Sequence, residues 1–382
     1  MTHHIHVPTP GELVSPDSGS ALVTISDALG TAQIKAGGSS SVIARAGLEH
    51  HPDPLTLIGA PMPDKVWLDR TEIAIDRLVG SAFGRWPMTD RLWRPIFDAV
   101  PRDHTGPVFL HNAPAAAAGI RRRRPSCAPV VYLHNEVVRG WSPAARRRLA
   151  RSSAVACVSR FIAERFLPGS VAGGHVLPLV NGVDTNAFHP ASREREPCVL
   201  FVGKIAPHKG PDLLIEAVVN LWDEGLRFRT RVVGSAVLSA TGELTDFERS
   251  LRARVARLGD AVEFLPFVNR AEIPEVYRTS TIMVVPSNWD EPCSLTLPEG
   301  MASGLACIAS NRGGLPEVGG DAVLYFDPAR IDELTAHLRV LLTNDELRRE
   351  HAQAARERAE NQSWDRQLTV LKDWLNSRSS GR

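Results

Sequence analysis

The five cysteines, Cys127, Cys157, Cys198, Cys293 and Cys307, are few, widely spread and in no C-x-x-C pair. Neither a disulfide framework nor a zinc site is indicated, and a reducing cytoplasm fits best. No apolar run approaches the ~18 residues that a membrane span needs. Residues 1–8 lack the charged and apolar regions of a signal peptide. No D-x-D-like segment offers paired carboxylates to a metal. No repeat at a period of about 20–50 residues suggests a solenoid. What is present is ordinary for a soluble globular protein: 43% hydrophobic and 23% charged residues. At 382 residues the chain has room for two domains.

Net charge is only +1, but it is unevenly placed. Residues 1–195 carry 22 Lys/Arg against 16 Asp/Glu, and residues 196–382 carry 22 against 27. The excess in the first half comes largely from Arg121, Arg122, Arg123 and Arg124, and from Arg146, Arg147 and Arg148. Such runs are commonly solvated surface. The other reading is peripheral contact with an anionic membrane at its cytoplasmic face. No nucleic-acid partner is expected.

The second half alternates between strand and helix patterns. Strands are predicted at 199–202, 231–234, 262–267, 282–286, 306–310 and 323–326. Helices are predicted at 211–223, 246–258 and 273–280 and toward the C-terminus. This alternation implies a parallel, doubly wound sheet. In the first half, 55–58, 108–111, 130–134 and 154–158 read as strands, and the early histidines as part of a first strand. Between Gly11 and Gly38 no element can be assigned. Segment 190–197, with alternating Arg and Glu, reads as the linker between two sheets.

The most informative segment is Trp289-Asp-Glu-Pro-Cys-Ser-Leu-Thr-Leu-Pro-Glu-Gly-Met-Ala-Ser-Gly304, in which seven residues separate Glu291 from Glu299. It follows a predicted buried strand. Acids at a strand's carboxyl end and at the next helix start would face the crevice where open α/β sheets bind ligands. Thr296-Leu-Pro-Glu299 also fits a capping box, in which Glu299 only satisfies backbone donors. Glu291 lies outside the helix, where a carboxylate is free to accept hydrogen bonds from a ligand. A second segment, Gly203-Lys204-Ile-Ala-Pro-His-Lys209-Gly, follows the strand at 199–202. Gly203 permits a tight turn, and the two lysines can neutralise a diphosphate. Gly313-Gly314 follows a third strand, where backbone can approach a ligand closely.

These segments resemble glycosyltransferase family 4, whose E-x7-E motif and G-R-x(4)-K-G loop they match, with Lys204 in place of the usual Arg. The resemblance is dense from about residue 130 onward and thin over the first hundred residues. It implies an α/β GT-B fold, with two doubly wound Rossmann-like domains facing across a cleft. Residues 1–190 would bind the acceptor, 196–362 the nucleotide-sugar donor, and 363–382 would form a helix crossing back to the first domain. It implies a retaining, hexosyltransferase-like enzyme using a UDP- or GDP-linked sugar, with a glycan, lipid or small molecule as acceptor and no metal or other cofactor. Lys204 and Lys209 would hold the diphosphate, Glu291 the sugar, Glu299 the ribose, and Val268 the nucleobase through its backbone. Gly37-Gly38 resembles the glycine loop that precedes the first long helix and lies against phosphate and acceptor. His134 matches the strand-end histidine that faces the reacting sugar, with His111 as competitor. A nucleotide-sugar epimerase or hydrolase on the same fold, or a non-catalytic sugar-nucleotide binding module, is the alternative. An epimerase or hydrolase would need a further acid/base pair, and none stands out.

Overall fold

The computed structural model describes residues 2–10, 12, 14, 19–46, 54–62, 68–136, 140–192, 196–236 and 243–380. It divides into two compact units, Met1–Val180 with Trp364–Arg382, and Asn181–Ser363. Segment 190–197 follows that division, and its residues 193–195 lie outside the described residues.

The first unit holds β1 (His3–Val7), β2 (Ser39–Arg45), β3 (Thr56–Ala60), β4 (Pro107–His111), β5 (Ala128–Leu133), β6 (Ala154–Cys157) and β7 (Val176–Pro178). They form one parallel sheet in the order β3-β2-β1-β4-β5-β6-β7. Its helices are α1 (Ala21–Lys35), α2 (Arg70–Phe83), α3 (Pro87–Leu92), α4 (Arg94–Ala99), α5 (Ala116–Arg123), α6 (Pro143–Ser152) and α7 (Arg160–Phe166). The strand order reverses between β1 and β4, and such a switch point opens a crevice at the strands' carboxyl ends.

The second unit holds β8 (Cys198–Val202), β9 (Arg229–Val233), β10 (Val262–Leu265), β11 (Ile282–Val285), β12 (Ala306–Ser310) and β13 (Leu324–Phe326). The parallel order is β10-β9-β8-β11-β12-β13, with the switch point between β8 and β11. Its helices are α8 (Pro211–Asp223), α9 (Asp246–Val255), α10 (Ile273–Arg278), α11 (Thr296–Ala302), α12 (Leu315–Gly319), α13 (Ile331–Thr343) and α14 (Asp345–Glu360). The last helix, α15 (Trp364–Ser380), packs on α1 within the first unit. Each unit is a Rossmann-like parallel sheet, and together they define a GT-B fold.

The sequence explains the regular parts. Strand β11 is buried along its whole length and reads as an unbroken apolar run, and β12 does so up to Ser310, because a parallel sheet is covered on both faces. Helix α8 starts with Pro211 at its first turn, where no backbone donor is lost. Its Leu214, Ile215, Val218 and Leu221 then bury one stripe against Val199, Val284 and Leu338. Each such side chain contributes about 1.5–3 kcal/mol.

Candidate active site

In the second unit the loop after β8 is shaped by backbone contacts. Gly203 donates its N–H to the Val233 carbonyl at 3.0 Å. Gly210, at φ +68°, N-caps α8, and a Cβ there would run into the Pro286 carbonyl at the end of β11. The loop is thus pressed across the switch point, and only glycine fits at that approach. Asn288 ties the other side down, giving its N–H to the His208 carbonyl at 3.1 Å and its amide to the Pro207 carbonyl at 2.8 Å. Lys204 is exposed, while half-buried Lys209 brings Nζ to 2.6 Å from Glu291 Oε2.

Glu291 is buried, and its Oε2 also accepts from Ser287 Oγ at 3.1 Å and Trp289 Nε1 at 3.0 Å. Among the described residues no donor sits on Oε1. Gly314 donates its N–H to the Glu291 carbonyl at 2.7 Å, and a Cβ on Gly313 would collide with that same carbonyl. The glycine pair therefore clasps the backbone of Glu291. Sequence reasoning placed both glycines in the site without showing that they hold one of its acids.

The capping-box reading of Glu299 is overturned. Thr296 is the first residue of α11, not its cap, and it is Ser294 Oγ that accepts the first-turn Leu297 N–H at 3.2 Å. The chain does form capping boxes, at Asp69 with Glu72 and at Thr245 with Glu248. Glu299 is only 2% exposed, receives Tyr277 Oη at 2.9 Å and pairs with Arg270. Burial, with the Glu299 carboxylate next, pushes the Tyr277 hydroxyl well above its ordinary range, so it donates to Glu299. Val268 is half-buried in the loop after β10, two residues before Arg270.

In the first unit His134 follows β5 and His111 ends β4. They are not competitors: His111 Nδ1 lies 2.9 Å from His134 Nε2, and His111 Nε2 lies 3.1 Å from His6 Nδ1 on β1. Burial holds His134 down to about 3, and His6 and His111 well below the usual imidazole range. Asn112, at φ +53°, accepts the His134 N–H on its side-chain oxygen at 2.7 Å. Asparagine is among the side chains that best tolerate this left-handed backbone.

The expected position of Gly37-Gly38 is corrected. These residues follow α1 and lead into β2, rather than preceding the first long helix. An added Cβ on Gly38 would meet the Gln33 side chain, so that glycine serves helix–strand packing. Residues 19 and 20 are the ones that enter α1, and Gly11 and residues 15–18 lie outside the described residues.

A cavity of about 370 Å³ near the ends of β1 and β4 was not foreseen. Trp86, Trp93, Trp141, Asn112 and Asp76 line it, and Trp86 stacks on Trp141 at 3.9 Å. Asp76 takes the N–H groups of Met88 and Thr89, each at 2.8 Å, which orders the start of α3 beneath Trp86. The tryptophans are spread over α3, its neighbours and the α6 approach, so no sequence spacing announces them.

Most of the arginines in the two runs have internal duties. Arg121 binds the Ser152 carbonyl and Ser153 Oγ, Arg122 pairs with Asp90, Arg124 Nε meets the Val100 carbonyl at 2.7 Å, and Arg146 bonds the Arg165 carbonyl at 2.8 Å. Among the described residues no helix is long and apolar enough to cross a membrane.

Residues 183–358 match the family model described as glycosyl transferases group 1. Over 292 residues the chain is 27% identical to spore coat protein SA of Bacillus subtilis, covering 68% of this chain and 75% of that protein. It is 32% identical over 181 residues to D-inositol 3-phosphate glycosyltransferase of Streptomyces bingchenggensis, spanning 46% of this chain but only 39% of that one. Among solved structures, sucrose-phosphate synthase from Thermosynechococcus elongatus superposes at a TM-score of 0.72 with 16% identity, covering 100% of both chains. Anabaena HepE in complex with UDP gives 0.68 with 17% identity, over 99% of this chain and 100% of that one. These structural likenesses establish the GT-B fold.

Proposed function

We propose that this chain is a retaining family 4 glycosyltransferase that moves a hexose from a nucleoside diphosphate sugar to an acceptor hydroxyl. The observation that carries the reading is the Lys209–Glu291 pair at the β8/β11 switch point, with its glycine clasps. Support comes from the match of 183–358 to the group 1 family and from a structural neighbour solved with UDP and with UDP-glucose. A uridine nucleotide is therefore the first donor to test, ahead of a guanosine one.

In this reading the second unit takes the donor. Breaking the bond between C1 and phosphate leaves negative charge on the diphosphate and oxocarbenium character on the sugar. Lys209, Lys204 and the N-terminus of α8 stabilise the departing diphosphate. Glu291 is restrained through Oε2, and Oε1 accepts from donor sugar hydroxyls. Glu299, fixed by Tyr277 and Arg270, accepts from the ribose, and Val268 presents backbone to the base. The acceptor's proton passes to the leaving phosphate on the face from which the acceptor attacks, so no carboxylate nucleophile and no metal is needed. The first unit takes the acceptor, and its tryptophan-lined cavity suits a ring with an apolar face.

Thermal-shift screening of UDP-, GDP- and ADP-sugars tests the reading, since a ligand at a hundred times its Kd stabilises by about 2.7 kcal/mol. One nucleotide class should raise the melting temperature well beyond the others. No shift with any of them would reject donor binding.

A further inference from the structure

We propose that His6, His111 and His134 are a single tautomer-locked row, in which His6 and His111 are positioning residues that fix the hydrogen-bonding sense of His134 Nδ1 toward substrate. The functional half of this inference rests on reading His134 as part of the reaction site; the row itself does not.

The geometry is a line of ring nitrogens. His6 Nδ1 meets His111 Nε2 at 3.1 Å, and His111 Nδ1 meets His134 Nε2 at 2.9 Å. The rings of His111 and His134 lie edge to edge, 19° from parallel with centroids 5.1 Å apart, and His6 stacks on Phe109 at 4.7 Å. All three side chains are buried, at 0%, 0% and 6% exposure. Among the described residues, the two outer nitrogens, His6 Nε2 and His134 Nδ1, are buried without a partner. The row crosses the β1/β4 switch point and ends one residue beyond β5. Among the described residues no group of His, Cys, Asp or Glu is arranged to hold a metal ion.

Counting protons gives the consequence. Three charged imidazoles cannot share this dry space, and burial keeps each ring neutral. Three neutral rings carry three N–H groups, one each. Two are needed in the two inner N···N contacts. The third must sit at one end, on His134 Nδ1 or on His6 Nε2. If it sits on His134 Nδ1, every ring is an Nδ1–H tautomer. If it sits on His6 Nε2, every ring is an Nε2–H tautomer. A mixed row would leave one inner contact with two protons or none, at a cost of about 1–3 kcal/mol for an unsatisfied buried group. His134 Nδ1 is therefore a donor or an acceptor according to the whole row. Asn112, holding the His134 N–H at 2.7 Å, fixes the backbone at that end.

The test is long-range ¹H–¹⁵N NMR of histidine-labelled protein at pH 7.5, with signals assigned by single His→Asn variants. The row predicts that His6, His111 and His134 share one neutral tautomer. His111→Leu should uncouple the outer rings, shifting the tautomer balance of His134, whereas His111→Gln, which can accept and donate at once, should preserve it. Two different tautomers among the three wild-type rings, or a His134 spectrum unaltered in a folded His111→Leu variant, would overturn the row. These spectra need no substrate, so they are independent of whether the protein transfers sugar. In a transfer assay, His6→Leu, two rings away, should lower kcat about tenfold with KM little changed, an effect of roughly 1.4 kcal/mol on the transition state. An unaltered kcat would remove the row's role in catalysis.

Discussion

Lys209 and Glu291, 82 residues apart in the chain, meet at 2.6 Å across the switch point of the second sheet. One is read as the diphosphate's counter-ion and the other as the sugar's acceptor, so each holds the other in place before a donor arrives. On that reading the donor's phosphate would compete with a carboxylate that Ser287 and Trp289 keep anchored.

Removing the cation should be felt in binding first. Lys209→Ala is expected to weaken nucleoside diphosphate affinity by ten- to a hundredfold, since a charge-assisted bond is worth about 1.5–3 kcal/mol. Calorimetry reads this directly, and unchanged affinity would sink the assignment.

The two glutamates should separate. Glu291→Gln should cut turnover at least tenfold with a melting temperature lowered by only a few degrees, because Ser287 and Trp289 can still donate to the amide oxygen. Glu299→Ala should cost about 1–3 kcal/mol of stability, since the buried Tyr277 hydroxyl loses its acceptor and Arg270 its counter-ion. A Glu299→Ala protein as stable as wild type would show that these contacts are immaterial.

Much of this was legible beforehand. Both glutamates, Lys209 and the Gly313-Gly314 pair sit on short loops between strongly patterned strands, so their order along the sheet followed once the alternation was read. Each strand expected at 55–58, 108–111, 130–134 and 154–158 and from 199 onward has a counterpart. Helix α1 was not legible. It is buried on several sides and carries β-branched residues and Gly30 in its interior, so neither a clean polar face nor helix propensity marks it. Missing it put Gly37-Gly38 on the wrong side of that helix. Glu299 was misread in one role because Thr296 and Glu299 have capping-box spacing; only the fold shows Tyr277 and Arg270 arriving from α10 and its approach. The histidine row joins β1, β4 and β5, a contact between distant segments that no local spacing encodes.

Acid should unfold the first unit. His4 is held down to about 4 and His134 to about 3, in both cases chiefly by burial, while an unfolded histidine titrates near 6.5. Below 6.5 the unfolded chain therefore binds protons that the folded chain refuses. The stability from neutral burial is present above pH 6.5 and is lost as pH falls toward the folded values. Each ring gives up on the order of 1–2 kcal/mol between pH 6.5 and 5. Urea midpoints should fall across that window, and a flat profile would contradict the buried neutral rings.

Membrane binding by the arginine runs should be weak. Arg121, Arg122, Arg124 and Arg146 are already held by carbonyl oxygens or Asp90. Flotation with anionic liposomes at low salt is expected to leave the protein in the soluble fraction. Salt-sensitive co-flotation would instead support a peripheral protein with a lipid-linked acceptor.

The central claim, retaining sugar transfer from a nucleotide donor held by Lys209 and Glu291, is tested most directly by following the sugar. Proton NMR of the protein with the donor selected by thermal shift and a panel of acceptor alcohols reads the anomeric signal as it moves. The account predicts a glycoside with the donor's own anomeric configuration, formed in step with nucleoside diphosphate and abolished in the Lys209→Ala and Glu291→Gln proteins. An inverted product, an epimerised nucleotide sugar, or free sugar as the sole product would contradict it.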